Sequence, residues 1–156
     1  ESFNSEFPPQ KVAEYWSEKI ARSFSKKELD EDTLIIAADT IVTVNGLILG
    51  KPKNADEAKS ILNQLSGRNH EVITGVTIRT NNKIKTFSVA TIVYFKALTA
   101  EEIEYYIKNF KPFDKAGAYG IQEWIGHVAI ERIEGSYFNV MGLPTHRLYE
   151  ELLDFN

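Results

Sequence analysis

Between Pro8-Pro9 and Lys26 apolar side chains return every fourth position, at Val12, Trp16, Ile20 and Phe24, which predicts a helix packed by that stripe. After the charged stretch Lys26 to Asp32, Leu34-Ile35-Ile36-Ala37-Ala38 is too short for a helix and rich in β-branched residues. It reads as a buried strand that ends at Asp39. Thr40 to Val44 alternate loosely up to Asn45-Gly46, a pair suited to the positive-φ positions of a tight hairpin, and Leu47-Ile48-Leu49 returns. Asn54 with Glu57 resembles a capping box ahead of Ala58, Ile61, Leu62 and Leu65, a helix closed by Ser66-Gly67. Val72 to Thr80 and Ile84 to Phe95 form a second predicted hairpin around Asn81-Asn82-Lys83. Thr99 and Glu102 repeat the cap for a helix that buries Ile103, Tyr106, Ile107 and Phe110 and stops at Pro112. Gly117, Gly120 and Gly126 mark a bent backbone that approaches something closely. Val128 to Ile133 and Tyr137 to Val140 read as strands, and Pro144 opens a last helix carrying Leu148 and Leu152. The expected class is α/β, a mixed twisted sheet with flanking helices.

Composition narrows the chemistry. With 156 residues, 43% hydrophobic and 26% charged, the chain is expected to form one globular domain over residues 1–156. Lys and Arg number 18 against 22 Asp and Glu, a net charge of −4 with no basic run, so long nucleic acid is not an expected partner. A small anionic ligand needs only a few local cations and stays open. The chain has no cysteine, which excludes disulfides, thiolate metal sites and a Cys nucleophile and fits a cytoplasmic location. The aliphatic run Leu34 to Ala38 is far below the ~20 residues of a membrane-spanning helix.

Most isolated motifs dissolve on inspection. Gly46 to Lys51 has one residue too few for a phosphate-binding P-loop, has Pro52 where Ser or Thr belongs, and sits on a hairpin. His70, His127 and His146 lack metal-ligand spacing, and Gly135-Ser136-Tyr137 is not a nucleophile elbow. Taken alone, Asp39 reads as a turn aspartate and Lys51 as a solvated lysine. Together they carry more, because the Asn45-Gly46 turn folds both toward the same end of the sheet. There Asp39 could hold Mg²⁺ or position water. Lys115 could reach a phosphate or pair with Asp114 or Glu123, and Thr74-Gly75 could shape a cleft floor or kink a strand. Tyr119 and Trp124 could stack on a base or fill the core.

Five ordered segments carry a resemblance: Ala38-Asp39-Thr40, Leu49-Gly50-Lys51-Pro52, Ser66 to Val76, Asp114 to Gln122, and Val140-Met141-Gly142-Leu143-Pro144. In order and spacing they resemble the Maf family of nucleoside triphosphate pyrophosphatases across nearly the whole chain. The resemblance implies an elongated two-lobed α/β fold similar to that of inosine triphosphatases, with a central nucleotide cleft. It implies metal-dependent cleavage between the α and β phosphates, with Mg²⁺ or Mn²⁺, and a possible homodimer. Asp39 matches the family's catalytic aspartate, Lys51 its phosphate-contacting lysine, and Thr40 and Gln122 the positions tied to base choice. Those two residues resemble the dTTP/UTP branch rather than the 7-methyl-GTP branch. Glu1 matches a metal-ligand glutamate, and the family's opening strand and Ser-x-Ser-Pro-Arg-Arg loop do not occur, so a domain incomplete at its N-terminus is expected. Alternatives are a non-catalytic nucleotide-binding regulator of cell division and an inosine triphosphatase-like enzyme.

In a triphosphate cleft the main problem is neutralising charge, each well-placed cation contributing about 4 kcal/mol of Coulomb energy at 4 Å before desolvation. Asp39 is therefore expected to bind the metal and orient water, with proton abstraction secondary. Its ordinary pKa is low, and a nearby lysine would depress it further.

Overall fold

The computed structural model describes residues 7–155, so Glu1 lies outside the described residues. Helix α1 (Pro9–Arg22) precedes strand β1 (Ile35–Val44), the short β2 (Leu47–Leu49) and helix α2 (Ala55–Leu65). The long strands β3 (Asn69–Arg79) and β4 (Ile84–Phe95) lead to α3 (Ala100–Phe110), α4 (Trp124–Ala129) and β5 (Ile130–Glu134). The short α5 (Tyr137–Met141) and α6 (Thr145–Asp154) complete the chain. Five strands make one sheet in the order β2-β1-β3-β4-β5. The α/β class is as expected; the sheet, expected to be mixed, is antiparallel at every pairing among the described residues.

Several elements follow directly from local chemistry. Asn45 and Gly46 take φ of 50° and 79°, the positive pair a two-residue hairpin turn requires. The Asn54 side chain accepts from Glu57 N–H, and Thr99 with Glu102 forms a complete capping box. Lys111 ends α3 in the left-handed region just before Pro112.

Helix α1 packs by only the first half of the expected stripe, Val12 and Trp16. Its buried positions are Val12, Ala13, Ser17 and Ala21, whereas Ile20 and Phe24 are exposed. A strict four-residue row advances 400° per step and winds off the face it started on. The residues that replace it are small, and they let the helix backbone descend on β3. An added Cβ at Gly75 would stand 2.2 Å from the Ala13 carbonyl oxygen and 2.6 Å from the Glu14 nitrogen. The buried Ser17 hydroxyl lies 2.9 Å from Thr77 Oγ1, so the polar atom under the helix is satisfied.

The other sheet face carries two separate apolar clusters. Around Val42, Val72 and Val93 pack Ile61, Leu62 and Leu65 of α2 with Ile103, Tyr106 and Ile107 of α3. Around Val76, Ile78 and Phe87 pack Leu148 of α6 and Phe155. Between them the register sets Thr40 opposite Thr74 and Thr74 opposite Val89. That polar row interrupts the apolar face where the two helix groups part.

Two strand assignments are corrected. Residues Val128 and Ala129 belong to α4, and β5 begins at Ile130. Tyr137 to Val140, aromatic and β-branched enough to read as a strand, is helical. The Ser136 hydroxyl caps it by accepting from Asn139 N–H at 3.1 Å. Asn139 then buries its amide against the sheet, donating to Val72 O, Val89 O and Thr91 Oγ1. Tertiary hydrogen bonds override β propensity here.

Gly75→Ala forces its methyl into helix backbone that cannot rotate away. We expect a loss of about 2 kcal/mol or more in urea unfolding. A midpoint equal to that of the parent chain would show that α1 does not rest on this position.

Candidate active site

The gap in the apolar face opens into a cavity of about 280 Å³ lined by Ala38, Asp39, Thr40 and Val42 of β1, by Val72 of β3, and by Lys51. Its opposite wall is Asp114, Lys115, Ala116, Tyr119, Gly120 and Gln122, and Val140 and Met141 close one side. Of the residues expected from sequence, Asp39, Thr40, Lys51, Lys115 and Gln122 all line this one cavity. Glu1, expected as a metal ligand, lies outside the described residues.

Asp39 is not at a strand end, as expected, but in the interior of the ten-residue β1. The strand runs through it because only part of the carboxylate leaves water: the position is half-buried at the cavity edge. Across the hairpin Val42 pairs with Leu49 and Val44 with Leu47. Continuing that register brings Lys51 level with Thr40, one residue from Asp39. Burial raises the Asp39 pKa, and the Lys51 charge pulls it back only in part. That reverses the expected depression, because in the polypeptide alone desolvation outweighs the ammonium. A carboxylate held this way is a better proton acceptor than a solvated one.

The facing loop is fixed from behind. Tyr106 of α3 donates to Glu123 Oε1 at 2.6 Å and accepts from Gly120 N–H at 3.0 Å, so one phenol holds both ends of the bend. Gly117 adopts φ 73° against Val42, and its N–H donates to Gly50 O at 3.2 Å, which ties the loop to the strand that delivers Lys51. Gly120 lies under side chains instead: a Cβ there would stand 2.8 Å from Glu123 Oε1 and 2.9 Å from Lys115 Cε, so the lysine stem lies across it. Lys115 Nζ pairs with Asp114 at 3.0 Å, as one of its two readings had it, and lines the cavity as well.

Tyr119 and Trp124 belong to packing. Tyr119 is buried edge-on against Phe95 and His70, with its hydroxyl 2.6 Å from His70 Nε2. Trp124 meets Tyr105 edge-on at 4.7 Å between centroids. Sequence reasoning missed Asp114 as a wall residue, Tyr106 as the clamp, and Asn139. The one signal for Asn139 was a lone amide inside an apolar run.

Cavity side chains contribute two lysines and two aspartates, so their formal charges cancel. Among the described residues no three His, Cys, Asp or Glu side chains converge as a metal cage. The available donors are carboxylate oxygens, which suit a hard cation that takes one or two protein ligands and completes its shell from phosphate and water.

Fold and cleft together define a small α/β protein with a polar cleft set between two cores on one sheet face. The chain belongs to the Maf-like protein family, whose match covers residues 1–155. It is 49% identical over 156 residues to a dTTP/UTP pyrophosphatase of Porphyromonas gingivalis, a match spanning 99% of this chain and 78% of that one. A dTTP/UTP pyrophosphatase of Christiangramia forsetii is 48% identical, spanning 97% and 77%. One from Bacteroides thetaiotaomicron is 43% identical, spanning 97% and 78%. Among the described residues no helix is long and apolar enough to cross a membrane.

His70 provides a pH prediction independent of turnover. Burial lowers its pKa from 6.5 to about 4, so the folded chain binds its proton less readily than the unfolded chain does. Its contribution to stability is present above pH 6.5 and is lost as pH falls from there toward 4, by about 3 kcal/mol at pH 4. Urea midpoints of the parent and His70→Phe should converge over that window; a constant difference would mean His70 binds its proton equally in the folded and the unfolded chain.

Proposed function

We propose that this chain hydrolyses dTTP and UTP to the nucleoside monophosphate and pyrophosphate. The observation that carries the proposal is the convergence of Asp39, Lys51, Lys115, Thr40 and Gln122 on one cavity, in a chain close to several proteins named for that activity. In this reading the cleft holds the phosphates between Lys51 and Lys115 and the base near Thr40 and Gln122.

Water attacks the α phosphorus, a bond forms from its oxygen to that phosphorus, and the bond to the bridging oxygen breaks with pyrophosphate leaving. Asp39 orients the water and accepts its proton, a step worth typically 10²–10⁴-fold; burial raises its pKa toward that role in the polypeptide alone, and a cation on the same carboxylate would pull it back. Lys51 opposes the charge that builds on the leaving group. Because the cavity's own charges cancel, the triphosphate brings an unmatched excess of negative charge. A divalent cation, Mg²⁺ or Mn²⁺, held by Asp39 and phosphate oxygens, would supply the missing neutralisation.

Asp39→Asn should lower pyrophosphate release from UTP by at least 10²-fold while the thermal midpoint stays level or rises, since an uncharged amide avoids the desolvation that burdens the carboxylate. A near-parent rate at saturating metal would remove Asp39 from the chemistry. Lys51→Ala should raise KM and lower kcat together, and unchanged kinetics would take the ammonium out of the site. Gln122→Glu should alter the order of preference among UTP, dTTP, CTP and 7-methyl-GTP, because a pocket amide left unpaired costs ~1–3 kcal/mol. An unchanged order would free Gln122 of that role.

A further inference from the structure

Thr74 is wholly buried, and its hydroxyl lies 3.1 Å from the Asn139 carbonyl oxygen and 2.8 Å from Thr40 Oγ1. A threonine hydroxyl has one proton. The carbonyl can only accept, so two bare oxygens at 3.1 Å would repel unless Thr74 donates to it. With its proton placed there, Thr74 can only accept from Thr40. The Thr40 hydroxyl proton is therefore directed into the sheet, and the oxygen presents lone pairs alone to the cavity it lines.

The Asn139 end of the chain is rigid. That carbonyl also receives Gly142 N–H at 3.0 Å, and the Asn139 side-chain amide is pinned by Val72 O, Val89 O and Thr91 Oγ1. Reversing the amide would set its oxygen against two carbonyl oxygens, so the nitrogen assignment follows from the partners themselves. Gly142, at φ 121°, leaves the approach to Thr40 clear, since even an added Cβ would stay 3.7 Å from its oxygen.

We infer that Thr74 is a positioning residue that makes Thr40 an obligate hydrogen-bond acceptor, so that the cleft selects a base whose ring nitrogen N3 carries a proton. Uracil and thymine carry that donor at N3, whereas cytosine carries a lone pair there and would meet Thr40 acceptor against acceptor. Selection against cytosine thus originates two residues away from the base, in the carbonyl of Asn139. The inference rests on the proposed binding of the base beside Thr40 and deepens it.

The test compares kcat/KM for UTP and CTP, and calorimetric binding of UMP and CMP, in the parent chain, Thr74→Val and Thr74→Ser. Valine keeps the shape but removes the acceptor, so Thr40 recovers a proton it can offer outward. The ratio of UTP to CTP should fall about tenfold, with UMP and CMP affinities converging. Thr74→Ser should retain the parent ratio, which a merely structural role would not require. Equal losses for UTP and CTP in Thr74→Val, or a serine variant that behaves like valine, overturns the inference. Should Thr74→Val fail to fold, Thr40→Val and Thr40→Ser replace it: only the first should lose the preference, and loss in neither overturns the inference. A parent chain that binds UMP over CMP in a Thr74-dependent way but releases no pyrophosphate would sink the pyrophosphatase reading and leave the inference standing. A parent chain that does not distinguish UMP from CMP overturns the inference itself.

Discussion

Two hydroxyls in the middle of a largely apolar sheet face mark where this molecule has its cleft. Thr40 and Thr74 face each other across β1 and β3, with aliphatic side chains one pair further along in each direction. A helix laid over them would bury polar oxygens under hydrocarbon, at a cost comparable to a lost hydrogen bond unless partners came with it. The chain meets this by dividing its core. One group of helices settles on Val42 and Val72, α6 settles on Val76 and Phe87, and the short α5 reaches between them with hydrogen-bonding groups rather than an apolar face.

The residues proposed to act are then hung on that gap from rigid supports. The Asn45-Gly46 turn fixes the hairpin register, and a slip of one residue would turn Lys51 to the opposite face. Gly50 couples the end of that hairpin to Gly117, and Tyr106 secures the other end of the glycine-rich bend through Gly120 and Glu123. Two chemically unlike walls, one strand and one loop, are held in register by a few directional bonds. Sub-ångström placement is what such a site needs if its groups are to act on one phosphate.

Features governed by local chemistry were legible in the sequence. The hairpin turn, the capping box at Thr99 and the breaks at Gly67 and Pro112 depend on neighbours a few residues away, and each is where the residues place it. Asp39, Lys51, Thr40, Gln122 and Lys115 were singled out from ordered motifs, and all line one cavity. What stayed hidden depends on long-range contact. The face of α1 is chosen by the absence of a side chain at Gly75, over sixty residues away, which no helical periodicity reports. The helix at Tyr137 exists because Asn139 finds carbonyls on β3 and β4, and a strand-like composition is blind to that. The direction of the Asp39 shift needed its burial, which a strand assumed to end at the charge could not provide.

The interior position of Asp39 is the more consequential of these differences. A carboxylate at the frayed end of a strand would be well solvated, close to its ordinary pKa, and free to change rotamer with little penalty. Held in mid-strand, it loses part of its hydration, is raised in pKa, and has backbone neighbours on β3 fixed by nine consecutive register pairs from Ile35 to Thr43. The sheet therefore stabilises a group whose charge the site disfavours, and the nearby ammonium of Lys51 offsets only part of that cost. A proton arriving at Asp39 relieves the remainder, as the proposed cation would, so the geometry that makes the carboxylate costly to keep is also what raises its affinity for a proton.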